Sequence, residues 1–155
     1  MKENIICYFS ASNNTKEVAN LLHNYLDSDI YEIKPEVKYT LDDLDWTNKQ
    51  SRSTLEMEDE SCRPKIEGSI DVSNYKNVII GFPVWWYTFP RIINTFVENI
   101  NLEGKNIILF CTSGSSSIEK SLKDFKEKYP TLNVKSGKRL TGRETKEEII
   151  TWINE

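Results

Sequence analysis

The strongest constraint on this chain is a repeated change of hydrophobic period. Short runs that are apolar on every residue alternate with segments whose apolar residues recur at three and four. Ile5–Phe9, Val78–Phe82 and Asn106–Phe110 are the continuous runs. A strand apolar on both faces has both faces covered, which is the condition of a parallel sheet between helical layers. The helical spacing is clear in Val18, Leu21, Leu22, Tyr25 and Leu26. It returns in Ile92, Ile93, Phe96, Val97 and Ile100, and in Ile118, Leu122, Phe125 and Tyr129. Glu144–Ile153 closes the chain as a helix carrying Ile149, Ile150, Trp152 and Ile153. Ile30–Lys34 reads as a short second strand, and a weak fifth lies near Leu132–Lys135 or Lys138–Leu140, its register unsettled. Five β/α units make a doubly wound α/β domain with three layers. Across 155 residues, one domain spanning 1–155 is expected.

Between Glu36 and Tyr75 the pattern lapses into a long polar connection, within which Leu41–Trp46 and Asn48–Asp59 each have room for a helical turn. A connection of this length is usually functional or carries structure of its own. From Glu36 to Asp71 it holds ten acidic and five basic residues, and the whole chain has a net charge of −4. That balance excludes nucleic acid as a general partner, because phosphate neutralisation needs a basic face. No apolar run is long enough to span a bilayer, and the N-terminus lacks the charged-then-apolar pattern of a signal peptide. A cytoplasmic location with no membrane partner is the expectation. Cys7 and Cys111 read as core residues, there is no Cys-x-x-Cys, and His23 is the single histidine. A metal site or a histidine-based nucleophile therefore has little to work with.

Doubly wound sheets bind ligands beyond the carboxyl ends of their strands, where strand order reverses. Three unusual loops fall there. The first is Cys7–Lys16, where an apolar strand stops at a run of hydroxyl and amide residues and a helix begins at once. Such a turn offers backbone N–H groups and hydroxyls to a phosphate, so Ser10, Ser12, Asn13, Asn14 and Thr15 are candidate phosphate ligands. A simple helix cap is the alternative, but a cap needs one such residue rather than five. The second loop, Pro83–Pro90, sets Trp85, Trp86 and Tyr87 after a strand. Exposed rings in a cluster suit stacking on a flat aromatic ligand; adjacent residues point apart, so one tryptophan is expected to turn inward. The third loop, Thr112–Ser117, is small and polar, with Gly114 available for close backbone approach or positive φ. A phosphate end, a flat aromatic middle and a narrow polar clamp together describe the shape of flavin mononucleotide (FMN).

The residues Tyr8-Phe9-Ser10-Ala11-Ser12-Asn13-Asn14-Thr15-Lys16-Glu17-Val18-Ala19 resemble the phosphate-loop signature of flavodoxins. Asn13 stands where that signature usually has glycine, and Asn is the other residue that best tolerates positive φ. Gly81-Phe82-Pro83-Val84-Trp85-Trp86, Pro90 and Thr112-Ser113-Gly114 resemble the second and third flavin loops of a bacterial flavodoxin-like subfamily with a Pro-x-Trp-Trp loop. The resemblance implies a flavodoxin-like three-layer α/β/α sandwich with a five-stranded parallel sheet of order 2-1-3-4-5, noncovalent FMN and redox activity. It implies that Ser10, Ser12, Asn13, Asn14 and Thr15 hold the phosphate. Pro83, Val84, Trp85, Trp86 and Tyr87 would line the isoalloxazine ring, and Thr112, Ser113, Gly114 and Ser115 its other edge. Neutral donors would leave the phosphate dianion near the ring and disfavour reduction to the anionic hydroquinone, more so if acidic residues of Asp42–Glu60 lie nearby.

The implied function is single-electron transfer between redox proteins, by a monomer or weak homodimer. The alternative on the same fold is an NAD(P)H-dependent quinone or flavin reductase, for which the sequence offers no Gly-x-Gly-x-x-Gly and no arginine cluster. A phosphoacceptor signalling domain would need acids where Ser10-Ala11-Ser12 and Pro83-Val84-Trp85 stand.

Overall fold

A computed structural model of the protein describes residues 2–155. Its sheet is built from β1 (Asn4–Tyr8), β2 (Ser28–Glu32), β5 (Asn77–Pro83), β6 (Asn106–Thr112) and β7 (Asn133–Arg139). All neighbours pair in parallel, in the order β2-β1-β5-β6-β7. Counting only these five strands, that is the expected 2-1-3-4-5. The crossovers are α1 (Asn14–Tyr25), α3 (Arg91–Asn99) and α4 (Glu119–Lys128), and α5 (Lys146–Ile153) ends the chain. The order reverses between β1 and β5, so their carboxyl ends open a crevice there.

Alternate residues of each strand enter opposite layers. Ile5, Cys7 and Phe9 join Val78, Ile80, Phe82 and Leu109 under α3 and α4, with Ile92, Ile93, Phe96 and Phe125. Ile6, Tyr8, Ile79, Ile108 and Phe110 face the opposite way, against Val18 and Leu22 of α1 and Ile149 and Trp152 of α5. Gly81 is required by this packing. A Cβ there would lie 2.0 Å from Cζ of Phe110, so the ring occupies the space a side chain would take.

The amino ends of the strands are joined by a ladder of amides that the sequence reading passed over. Asn77 donates to Asn4 (2.7 Å), Asn106 to Asn77 (2.9 Å) and Asn133 to Asn106 (2.9 Å). Asn4 completes the row by donating to the carbonyl of Asp27. Each asparagine is at the first position of its strand, in direct register with the next.

Two expectations are corrected. The second strand begins two residues earlier than Ile30–Lys34 suggested, and Ile33 instead drops into the α3/α4 core. The fifth strand is one unit, and its pairing with β6 shifts between Ile107 and Ile108, where Val134 and Ser136 are their partners and Lys135 is skipped. A bulge of this kind breaks the alternation of side chains, which is why the sequence showed two half-strands. The Glu36–Tyr75 connection carries α2 (Arg52–Glu58) and β4 (Ile66–Glu67), which pairs antiparallel with β3 (Lys34–Pro35) just before it. Among the described residues no helix is long and apolar enough to cross a membrane.

Candidate functional site

The first loop joins β1 to α1. Asn13 has φ 71°, the left-handed conformation in which a β-carbon is normally disfavoured. This turn brings the Ser10 hydroxyl to the N–H of Lys16, which donates to it at 3.1 Å, while the N–H of Glu17 donates to the carbonyl of Asn13. The side chain of Asn13 itself makes no cap bond, so Ser10 satisfies only the third amide of the helix. The amides of Asn14 and Thr15 therefore have no hydrogen-bond partner among the described residues. Two open amides at the positive end of a helix, beside the exposed Ser12, Asn13 and Asn14, form an anion-binding set. Thr15 is buried, and its Oγ1 lies 2.7 Å from Oγ1 of Thr112, which ties the first loop to the third.

The second loop is a two-residue turn. The N–H of Trp85 donates to the carbonyl of Thr88 (2.9 Å), and that of Thr88 to the carbonyl of Trp85 (3.1 Å). Trp86 and Tyr87 between them have φ of 50° and 69°. Positive φ at both central positions is the demand of a type I′ turn, which Asn and Gly usually meet. Two large aromatic residues there hold the backbone under strain, and strain of this kind collects at functional sites.

Trp85 turns inward, as expected for one of the pair. Its ring meets Phe9 edge-on (centroids 5.7 Å apart) and Tyr39 edge-on (5.3 Å). Tyr39 belongs to the long connection and is itself held fast. Its hydroxyl donates to Oε1 of Glu56 (2.6 Å), and Arg52 lies 3.7 Å over its ring while donating to Oε2 of Glu56. Burial, then the Glu56 carboxylate, pushes the Tyr39 phenol well above its ordinary range. Through this contact α2 braces the aromatic loop. Trp86 is 37 % exposed and Tyr87 69 %, so the strained turn presents both rings outward.

The third loop leaves β6 at Thr112. The carbonyl of Thr112 accepts from the N–H of Val84, joining the loop to the second. Gly114 has neither positive φ nor any atom within 4 Å of a built Cβ, so only room for close approach distinguishes it. Arg139, at the end of β7, clamps the loop: Nε donates to Oγ of Ser113, and Nη2 to the carbonyls of Ser113 and Gly114, each at 3.0 Å.

A cleft of about 520 Å³ runs between these parts, and Ser12, Asn14, Pro83, Val84, Thr112, Ser113 and Gly114 line it together. Ser10 and Asn13 line a separate cleft on the other side of the first loop, with Lys16, Lys34, Lys38 and Tyr39. Thr15, Trp85, Trp86, Tyr87 and Ser115 line neither. Arg139, Leu140, Thr141 and Gly142 complete the first cleft and were missed from sequence. Their signal was topological: they follow the fifth strand at the same carboxyl edge as the other loops. Gly142 turns with φ 90°, and the Glu144 carboxylate gathers the N–H groups of Thr141 and Gly142. Burial alone would raise the Glu144 carboxyl; those N–H groups outweigh it and hold it below the usual range.

The donor set suits FMN. Open amides and small hydroxyls fit a phosphate, and the cleft falls within the usual 300–1,000 Å³ for a ligand of this size.

The flavodoxin family model matches residues 3–155. A candidate flavoprotein from Bacteroides eggerthii is 42 % identical, with a TM-score of 0.96 over 99 % of this chain and 97 % of that one. Another from Bacteroides uniformis is 41 % identical, with a TM-score of 0.93 over 99 % of each chain. A Lactobacillus acidophilus flavoprotein solved in complex with FMN shares the fold at 24 % identity, with a TM-score of 0.78 over 99 % of each chain. No curated protein matches.

Proposed function

Since this chain belongs to the flavodoxin family, we propose that it binds FMN noncovalently and transfers electrons between redox proteins. The observation that carries this is the first loop, whose helix start leaves the amides of Asn14 and Thr15 without a partner among the described residues, next to the cleft that Ser12 and Asn14 line. The phosphate sits on those amides with Ser12 and the neighbouring Ser10 and Asn13. The ring lies between the Pro83–Tyr87 and Thr112–Ser115 loops, a Pro-x-Trp-Trp variant of the flavin site. FMN bound there supplies one- or two-electron redox chemistry. The FMN complex of the Lactobacillus relative supports this choice of cofactor.

Trp85 favours the carrier over a reductase. A ring braced by Phe9 and Tyr39 keeps the loop in place, whereas hydride transfer needs a flavin face that opens to a nicotinamide. The carrier acts as a monomer or weak homodimer toward its redox partners.

The purified chain is expected to be yellow, or to take up FMN from solution. It should hold FMN roughly 100-fold more tightly than riboflavin, since two charge-assisted amide bonds contribute about 1.5 kcal/mol each. Equal affinity for the two would remove the phosphate site. Rapid bleaching by NADPH in stopped flow, with no partner protein present, would assign the chain to the reductases instead.

A further inference from the structure

The cleft contains one permanent positive charge. Among its described lining residues Arg139 is the only cation and Glu17 the only anion. Arg139 is half-buried, and no ion pair among the described residues includes it. One edge of its guanidinium is committed to Ser113 and Gly114, while Nη1 has no hydrogen-bond partner among the described residues. An arginine keeps its proton in a protein, so this charge is present at every working pH. A half-buried cation left without a carboxylate, and with donors unspent, is suited to negative charge that arrives with a ligand.

Its place in the sheet says which part of the ligand it meets. Three strand spacings of about 4.8 Å separate β1 from β7, so Arg139 starts roughly 14 Å from the strand that carries the phosphate loop. It reaches back onto the third loop, the one that would meet the edge of the ring if FMN is bound. Full reduction of bound FMN takes two electrons from the donor protein and one proton, and leaves one net negative charge on the ring.

We infer that Arg139 both positions the third flavin loop and stabilises the anionic reduced ring, an inference that rests on the FMN reading above. It would act against the phosphate dianion, which by itself disfavours full reduction. The expectation from sequence weighed only the dianion and the acidic residues of Asp42–Glu60, because nothing local marks Arg139 as part of the site.

The test uses the full chain loaded with FMN and measures its reduction potentials by spectroelectrochemistry. Arg139→Gln should make the final one-electron step about tenfold less favourable, a shift of about 59 mV downward. Arg139→Lys keeps the charge but not the fork. Its potential should stay within about threefold of the parent equilibrium while FMN dissociates several-fold faster. R139K also decides the matter if R139Q does not fold. Equal downward shifts in both variants, or no shift in R139Q, would overturn the inference. So would an R139Q variant that weakens FMN more than tenfold yet leaves riboflavin binding unchanged, which would assign Arg139 to the phosphate. Failure of the parent chain to bind FMN would overturn the cofactor reading together with this one, whereas normal binding with unchanged potentials overturns this one alone.

Discussion

Tyr87 illustrates how one residue can trade stability for position. Its φ of 69° costs about 1–2 kcal/mol relative to an ordinary backbone, and a side chain 69 % exposed recovers little of that by burial. Tyr87→Gly should stabilise the free protein by about 0.5–1 kcal/mol in urea denaturation, after the entropy of glycine is set against the relief of strain. FMN binding should weaken in the same variant if the ring meets the flavin. Gly81 is the opposite case. Gly81→Ala would drive a methyl group into the Phe110 ring, with 2.0 Å between the atoms, and should cost about 3 kcal/mol by thermal unfolding. A variant as stable as the parent would show that the ring moves aside freely. Asn13 was legible as a left-handed residue because Asn is the commonest substitute for glycine there. Trp86 and Tyr87 were not, because no sequence rule places bulky aromatics in that conformation.

Elements are held at both of their ends, by different means. The amino ends of β1, β5, β6 and β7 share the asparagine ladder, in which Asn106 both donates to Asn77 and accepts from Asn133. Asn106→Ala removes both bonds and leaves Oδ1 of the half-buried Asn77 without its donor, so it should destabilise the fold by about 2 kcal/mol in chemical denaturation. A loss below about 0.5 kcal/mol would mean that water replaces the ladder. The carboxyl ends are held by loop-to-loop contacts instead: Thr15 to Thr112, Val84 to Thr112 and Arg139 to Ser113. The asparagines were visible in the sequence, one at the start of each strand, but only the register shows that they meet. The bulge in β7 hid its continuity for a related reason, since pairing with β6 rather than local alternation sets its length.

At the scale of the whole molecule, charge decides the response to acid. Arg63, followed by the Tyr129 hydroxyl, holds the Glu98 carboxyl below its usual value against the effect of burial, and backbone N–H groups do the same for Glu144. Groups depressed in the folded state contribute stability above the ordinary glutamate value of 4.5, and that contribution is lost as the pH falls through their lower folded values. Unfolding midpoints should therefore decline below about pH 4.5, and Glu144→Gln should make that decline shallower. An unchanged acid limb in E144Q would remove the loop carboxylate from the account. The sequence by itself determined the layers and where the site must be, because continuous apolar runs can only be strands covered on both faces and the first loop can only be a strand-to-helix turn. Tertiary structure decided the rest. Arg139 lies 129 residues from Ser10 in the chain yet lines the same cleft as Ser12, and Tyr39 reaches Trp85 across the long connection. Contacts of that range depend on strand order and register, which bring distant residues together at one edge of the sheet and which no local pattern in the chain encodes.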